Sequence, residues 1–154
     1  MWTTVVTQAD ANALLSLFGS FHDGCIREAH VWGGYCVDPD MSMRCPPTPD
    51  LKCRLLIQRQ WEDPSAVELL FDQVSRITLA APEEFDRIIA GAGLRVEAKC
   101  IVLSVDTEFE DENPNVESST AIIARRLWWR RVDDGLGNVL RYGGSDEFPG
   151  DFAL

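Results

Sequence analysis

Leu51-Lys52-Cys53-Arg54-Leu55-Leu56-Ile57-Gln58-Arg59-Gln60-Trp61 sets Leu51, Cys53, Leu55 and Ile57 against Lys52, Arg54, Gln58 and Gln60, with Leu56 the exception. Successive side chains of a strand point to opposite faces, so this two-residue period predicts a half-buried strand of an antiparallel sheet with its polar face in water. After a turn at Asp63-Pro64-Ser65, Val67, Leu69 and Phe71 again share a face. The phase slips through Val74 and resumes at Ile77 and Leu79, so a bulge in residues 72–75 is expected to restore one buried face.

Working outward toward the N-terminus, Thr7 and Asp10 form a variant of the capping box, and Ala11, Leu14, Leu15 and Phe18 follow at helical spacing. Gly19 ends that helix. Residues 21–31 turn strand-like without a clean phase and stop at Gly33-Gly34. Residues 38–50 hold Pro39, Pro46, Pro47 and Pro49, which cannot sit in a central strand, and read as a long connecting loop or rim.

Toward the C-terminus, Pro82, Glu83, Glu84, Phe85, Ile88 and Ile89, closed by Gly91, predict a short helix. Residues 94–105 predict one kinked strand or two short ones. Residues 106–117 carry six acidic side chains, Asp106, Glu108, Glu110, Asp111, Glu112 and Glu117, with no basic one, and are read as a solvated loop or hairpin end. Residues 121–132 make a last β-rich run, and a Gly- and Asp-rich tail from Asp133 reads as loosely ordered. Helix followed by strands, without β-α-β alternation or a Gly-rich phosphate loop, defines an α+β domain: a mostly antiparallel sheet with an N-terminal helix and one short helix packed on it. No Rossmann-type cofactor site and no other cofactor is expected.

The chain of 154 residues, 45% hydrophobic, reads as a single domain over 1–154, long enough to bury roughly two-thirds of its unfolded surface. A net charge of −11 repels nucleic acid and anionic membranes and attracts a basic partner. Met1-Trp2-Thr3-Thr4-Val5-Val6 holds neither a basic leader nor a long apolar run, and a cytoplasmic protein is expected. The five cysteines, Cys25, Cys36, Cys45, Cys53 and Cys100, include no Cys-x-x-Cys pair. Cys36, Cys45 and Cys53 cluster near His30, but without tight ligand pairs no metal site is expected.

Three groups of residues invite a functional reading. His22-Asp23 could be an acid/base pair and, with His30, line a pocket between helix and sheet. Neighbours in a strand face opposite ways, however, and a role at the helix–strand junction is the simpler expectation. Asp106, Glu108 and Glu110 alternate and could hold a divalent cation, although mutual repulsion favours a solvated face. Arg125, Arg126, Arg130 and Arg131 frame Trp128 and Trp129, residue types enriched in interface hot spots. Their structural role would be one tryptophan in the core and arginines paired with the acidic loop upstream.

Phe21-His22-Asp23-Gly24-Cys25-Ile26 and the stretch Val67-Glu68-Leu69-Leu70-Phe71-Asp72-Gln73-Val74-Ser75-Arg76-Ile77-Thr78-Leu79 resemble the "FHD" strand start and "LxFxxVxxLxL" strand of a group of small bacterial proteins. Some members of that group are described as immunity proteins of polymorphic-toxin systems. The resemblance implies a β-rich fold, a possible inhibitory partner and no catalytic residue. The resulting expectation is a non-enzymatic protein-binding module, in its sharpest form an inhibitor of a basic toxin domain. Glu108, Glu110, Asp111 and Glu112 would be its electrostatic face and Trp61, Trp128 or Trp129 its anchors. The alternative is a small-molecule-binding protein or minor hydrolase using His22 and Asp23; a homodimer through an open strand edge is the residual reading.

Overall fold

A computed structural model of the protein describes residues 1–80, 88–106 and 120–142. They form an α+β domain of nine strands and one α-helix: β1 (Thr3–Val5), α1 (Gln8–Leu17), β2 (Gly24–Trp32), β3 (Cys36–Val37), β4 (Met43–Arg44), β5 (Lys52–Arg59), β6 (Ala66–Thr78), β7 (Ala92–Val96), β8 (Ile101–Val105) and β9 (Thr120–Arg131). Seven strands make one antiparallel sheet in the order β2-β5-β6-β9-β8-β7, with β1 added on β9 beside β8; β3 and β4 form a separate hairpin.

The helix begins where the capping box places it. Thr7 accepts from the Asp10 amide at 3.2 Å, and the Asp10 carboxylate accepts from the Thr7 amide at 2.8 Å, satisfying two end groups that the helix cannot pair itself. Those hydrogen bonds to Thr7 hold the Asp10 carboxyl below its ordinary pKa. Ala11, Leu14 and Phe18 then lie buried against Leu55, Leu69, Phe71 and Leu127 of the central strands. Arg59 of β5 ties down the other end: its guanidinium donates to the Leu17 carbonyl at 3.1 Å and the Pro64 carbonyl at 2.9 Å, and stands 5.1 Å above the Phe18 ring. A cation at a helix C-terminus also complements the macrodipole.

Several local expectations meet their physical reasons here. The register between β6 and β9 shifts between Val74 and Arg76, with Gln73 at φ 52°, which is the bulge demanded by the slipped phase. A second shift, between Ile26 and Glu28, explains the unclean phase of β2. Residues 92–105 are two strands in a hairpin.

Other expectations are corrected. The polar alternate positions of β5 do not stand in water: Lys52, Arg54 and Gln58 are only partly exposed and Leu56 is buried, because the segment after β9 returns across that side of the sheet. The tail from Asp133, expected to be loosely ordered and to close on Phe148 and Phe152, is held as far as Tyr142 by side chains of the sheet, and those two phenylalanines lie outside the described residues. Residues 38–50 are not wholly loop, since β4 and its turn fall within them. Most of the expected short helix lies outside the described residues, and Ile89, assigned to it by the pattern, instead bridges Gly24 in extended pairing.

Replacing Thr7 with alanine should cost about 1 kcal/mol of unfolding free energy, through the lost cap alone. Leu14→Ala should cost about 2–5 kcal/mol, since the side chain is wholly enclosed between helix and sheet. Urea denaturation of both variants measures the contrast.

Candidate functional site

The sheet has two faces of opposite character. One carries α1 and the apolar core; the other is a mosaic of charges and aromatic rings built by the alternate residues of four strands. Register places Arg130, Glu68, Leu56 and Glu28 in one cross-strand row, Trp128, Leu70, Arg54 and His30 in the next, and Arg126, Asp72, Lys52 and Trp32 in a third. Trp2, just before β1, places its ring 4.6 Å from the Arg130 guanidinium.

At the centre stands Glu68, with 0% of its side chain exposed. It is placed there by four successive buried residues, Ala66 to Leu69. A carboxylate so enclosed must find donors or lose its charge. Three side chains supply them: Arg130 pairs with it through Nε, Tyr142 donates its hydroxyl to Oε1 at 2.8 Å, and Arg141 Nε lies 3.7 Å away. Burial first, and then the hydrogen bond to Glu68, push the Tyr142 hydroxyl far above its ordinary pKa.

The tail is fixed to this face by a series of such bonds. Gln58 donates to the Gly135 carbonyl at 2.6 Å and the Gly137 carbonyl at 3.1 Å, and Arg27 donates to the Asn138 carbonyl. Both oxygens of Glu28 are taken by the tail backbone, from Arg141 at 2.7 Å and Tyr142 at 2.9 Å. Gly135 lies so close that a Cβ there would meet Val132 at 2.8 Å and Ala66 at 3.0 Å. The result brings Tyr142 over Leu56, Ala66 and Val132. His30 is sandwiched in it, its ring 4.9 Å from that of Trp32 and 6.0 Å from that of Tyr142.

The residues singled out by sequence fall in different places. His22 and Asp23 form an exposed pair, Nδ1 to Oδ2 3.1 Å, with 63% and 52% of their side chains in solvent. The motif around them is a junction. Gly19, Ser20, Phe21 and Asp23 all have positive φ, and Gly24 is packed so tightly that a Cβ would meet the Phe21 carbonyl at 2.7 Å and the Gln58 carbonyl at 3.0 Å. His30 sits on the mosaic, and the seven strand residues from Gly24 to His30 alone span roughly 20 Å. The structure therefore does not gather His22, Asp23 and His30 in one pocket.

Trp128 lies on the mosaic face under Arg126, 5.7 Å from the ring, whereas Trp129 packs against the core edge-on to Phe18 at 6.2 Å. Three of the four arginines of β9 pair with carboxylates on other strands and turns, Arg126 with Asp72, Arg130 with Glu68, and Arg131 with Asp63 and Asp133, while Arg125 lies beside the cleft between β1 and β8. Trp61, at the β5–β6 turn, is 91% exposed. Glu108, Glu110, Asp111 and Glu112 lie outside the described residues. Asp106 does not continue a strand; at φ 58° it turns the chain, and its carboxylate accepts from the Ala90 amide at 2.7 Å.

Among the described residues no three His, Cys, Asp or Glu side chains are grouped to hold a metal ion. Cys53 is enclosed in the core, which pushes its thiol up to about 11. Two open clefts occur away from the mosaic centre. One, of about 680 Å³, fills the break between β1 and β8 along β9, beside Arg125 and Lys99; the other, of about 370 Å³, lies between Tyr35 and Pro47. Among the described residues, no helix is long and apolar enough to cross a membrane.

The fold and face together define an antiparallel-sheet α+β domain with one helix-covered side and one charged, aromatic side. Compared with protein-family models, curated proteins and solved structures, the chain matches none of them.

Tyr142→Phe should remove a hydrogen bond to a charged acceptor and cost about 2 kcal/mol near neutral pH. Since folding raises the hydroxyl's pKa, the stability linked to keeping its proton is complete below the ordinary value of 10.0 and declines as pH rises beyond it. The wild-type advantage over the variant should therefore shrink above pH 10 in a series of urea titrations.

Proposed function

We propose that this protein is a protein-binding module and that the mosaic face is where its partner seats. The observation that carries this reading is the gathering of Trp2, Trp32, Trp128, His30 and Tyr142 with Lys52, Arg54, Arg126, Arg130 and Arg141 on one sheet face. Tryptophan, tyrosine and arginine are the residues that dominate binding energy at interfaces, through large rigid contact area and planar donors. The rings are held in place before any partner arrives, so little side-chain entropy remains to be lost on association.

The sharper form of the proposal is a cytoplasmic inhibitor of a basic toxin domain, as the FHD resemblance implies. Its support is the net charge of −11, which draws a basic protein into encounter, and the exposed Trp61 as a further anchor beside a turn. The −11 acts at long range, while the mosaic, with five cations against the carboxylates of Glu28, Glu68 and Asp72, governs the contact.

The test is capture from lysate of the source organism with the full chain as bait, at low and high salt, followed by affinity measurements on whatever is retained. One basic protein should be held at low salt and captured more slowly as salt rises. Trp32→Ala and Trp128→Ala should each weaken it by roughly tenfold or more with little change in melting temperature. Retention of a second copy of the chain alone would replace this reading with self-association, and unchanged affinity in both variants would remove the face from it.

A further inference from the structure

Arg54 stands apart from the other cations of the mosaic. Lys52 and Arg126 share Asp72, at 3.7 and 2.5 Å, and Arg130 and Arg141 share Glu68. Arg54 has no carboxylate within reach among the described residues, and its Nε is buried with no acceptor. Instead its guanidinium carbon lies 6.0 Å from the ring centre of Trp2, 5.6 Å from that of Trp32 and 5.5 Å from that of Tyr142. His30, its cross-strand neighbour, stacks on two of these rings and holds them in position.

The aromatic walls account for where the guanidinium sits, since a cation is attracted to ring faces at such distances. They do not replace the missing acceptor. An enclosed donor without a partner costs free energy that an incoming acceptor recovers. The nearby carboxylates are already committed: both oxygens of Glu28 to the tail backbone, and Glu68 to Arg130 and Tyr142. The tail thereby occupies the acceptors that could have neutralised Arg54.

We propose that Arg54 is a recognition site for a carboxylate on an acidic side chain of a partner's peptide segment, with the flanking apolar or aromatic side chains of that segment laid on Trp2, Trp32 and Tyr142. A planar guanidinium matches a carboxylate with two parallel hydrogen bonds, and water-excluding rings around the pair strengthen them. A peptide is the favoured source because Arg54 stands among the rings of Trp2, Trp32 and Tyr142, and a segment can lay its own apolar side chains on those rings where a small anion brings no apolar cover. The proposal rests on reading the mosaic as the partner-binding face.

The test uses the full chain and two probes, acetyl-Phe-Asp-Phe-amide and its Asn counterpart, with sodium acetate as the small-anion control. The readouts are tryptophan fluorescence and the Arg Nε–H resonances. The Asp peptide should shift the Arg54 resonance saturably and bind at least roughly tenfold more tightly than the Asn peptide. Arg54→Met should abolish that preference while leaving the melting temperature unchanged or raised, because the orphaned donor is gone. Arg54→Lys, which keeps the charge without the fork, should lose most of it.

Equal binding of the two peptides overturns the proposal, as does an equal response to acetate alone, which would make this a small-ion site. A marked drop in the melting temperature of Arg54→Met, with Arg54→Lys binding as wild type, also overturns it and makes Arg54 a packing cation. These failures are separable from failure of the wider reading. Loss of partner capture by Trp128→Ala with normal capture by Arg54→Met would remove the carboxylate site and keep the face.

Discussion

A carboxylate with no exposed surface, on a central strand of the sheet, is the constraint around which one side of this protein is organised. Glu68 lies in a run of apolar residues that buries it whichever way the sheet turns. Leaving such a charge unpaired costs several kcal/mol, more than most single contacts contribute to a marginally stable domain. Its demand is met from two distant parts of the chain. Arg130 comes from the strand beside it, and Tyr142 and Arg141 come from the segment beyond that strand. A segment whose Gly- and Asp-rich composition would otherwise leave it loose is thereby laid across the sheet.

The consequence for binding follows from counting acceptors. By engaging Glu68 and Glu28, the tail leaves Arg54 without a partner, and by adding the Tyr142 ring it completes the aromatic surround of that same guanidinium. Stability and recognition are thus set by one arrangement: the paired cations hold the face together and the unpaired one is left for a ligand. The helix-covered side has no such tension, because Arg59, the buried cation there, finds two backbone carbonyls and Glu62.

The helix and its cap, the strands of residues 51–79, the bulge near Gln73 and the β-rich run of β9 were all legible in the order of residues, since each depends on neighbours within a few positions. Glu68 carried a readable signal: a carboxylate between Val67 and Leu69 in a strand with apolar residues on both faces must have a partner. Trp2, Trp32, Arg54 and Tyr142 carried none. They are separated by as many as 140 positions and meet only because β1, β9, β6, β5 and β2 are neighbours in the sheet. The His22-Asp23 pair drew attention by its chemistry, while its neighbours Gly24 and Phe21 reveal a tight backbone junction that sequence spacing could not distinguish from a site.

By itself the sequence determined the class of the fold, the phase of the strands over residues 52–71 and the sign of the long-range field, because hydrophobic period, capping residues and net charge are local or summed properties. Only the tertiary structure decided which polar positions of β5 would be covered, which carboxylate each arginine would take and which cation would be left without one. Those outcomes depend on register between strands and on the path of the tail, which set in space which charges come within reach of one another.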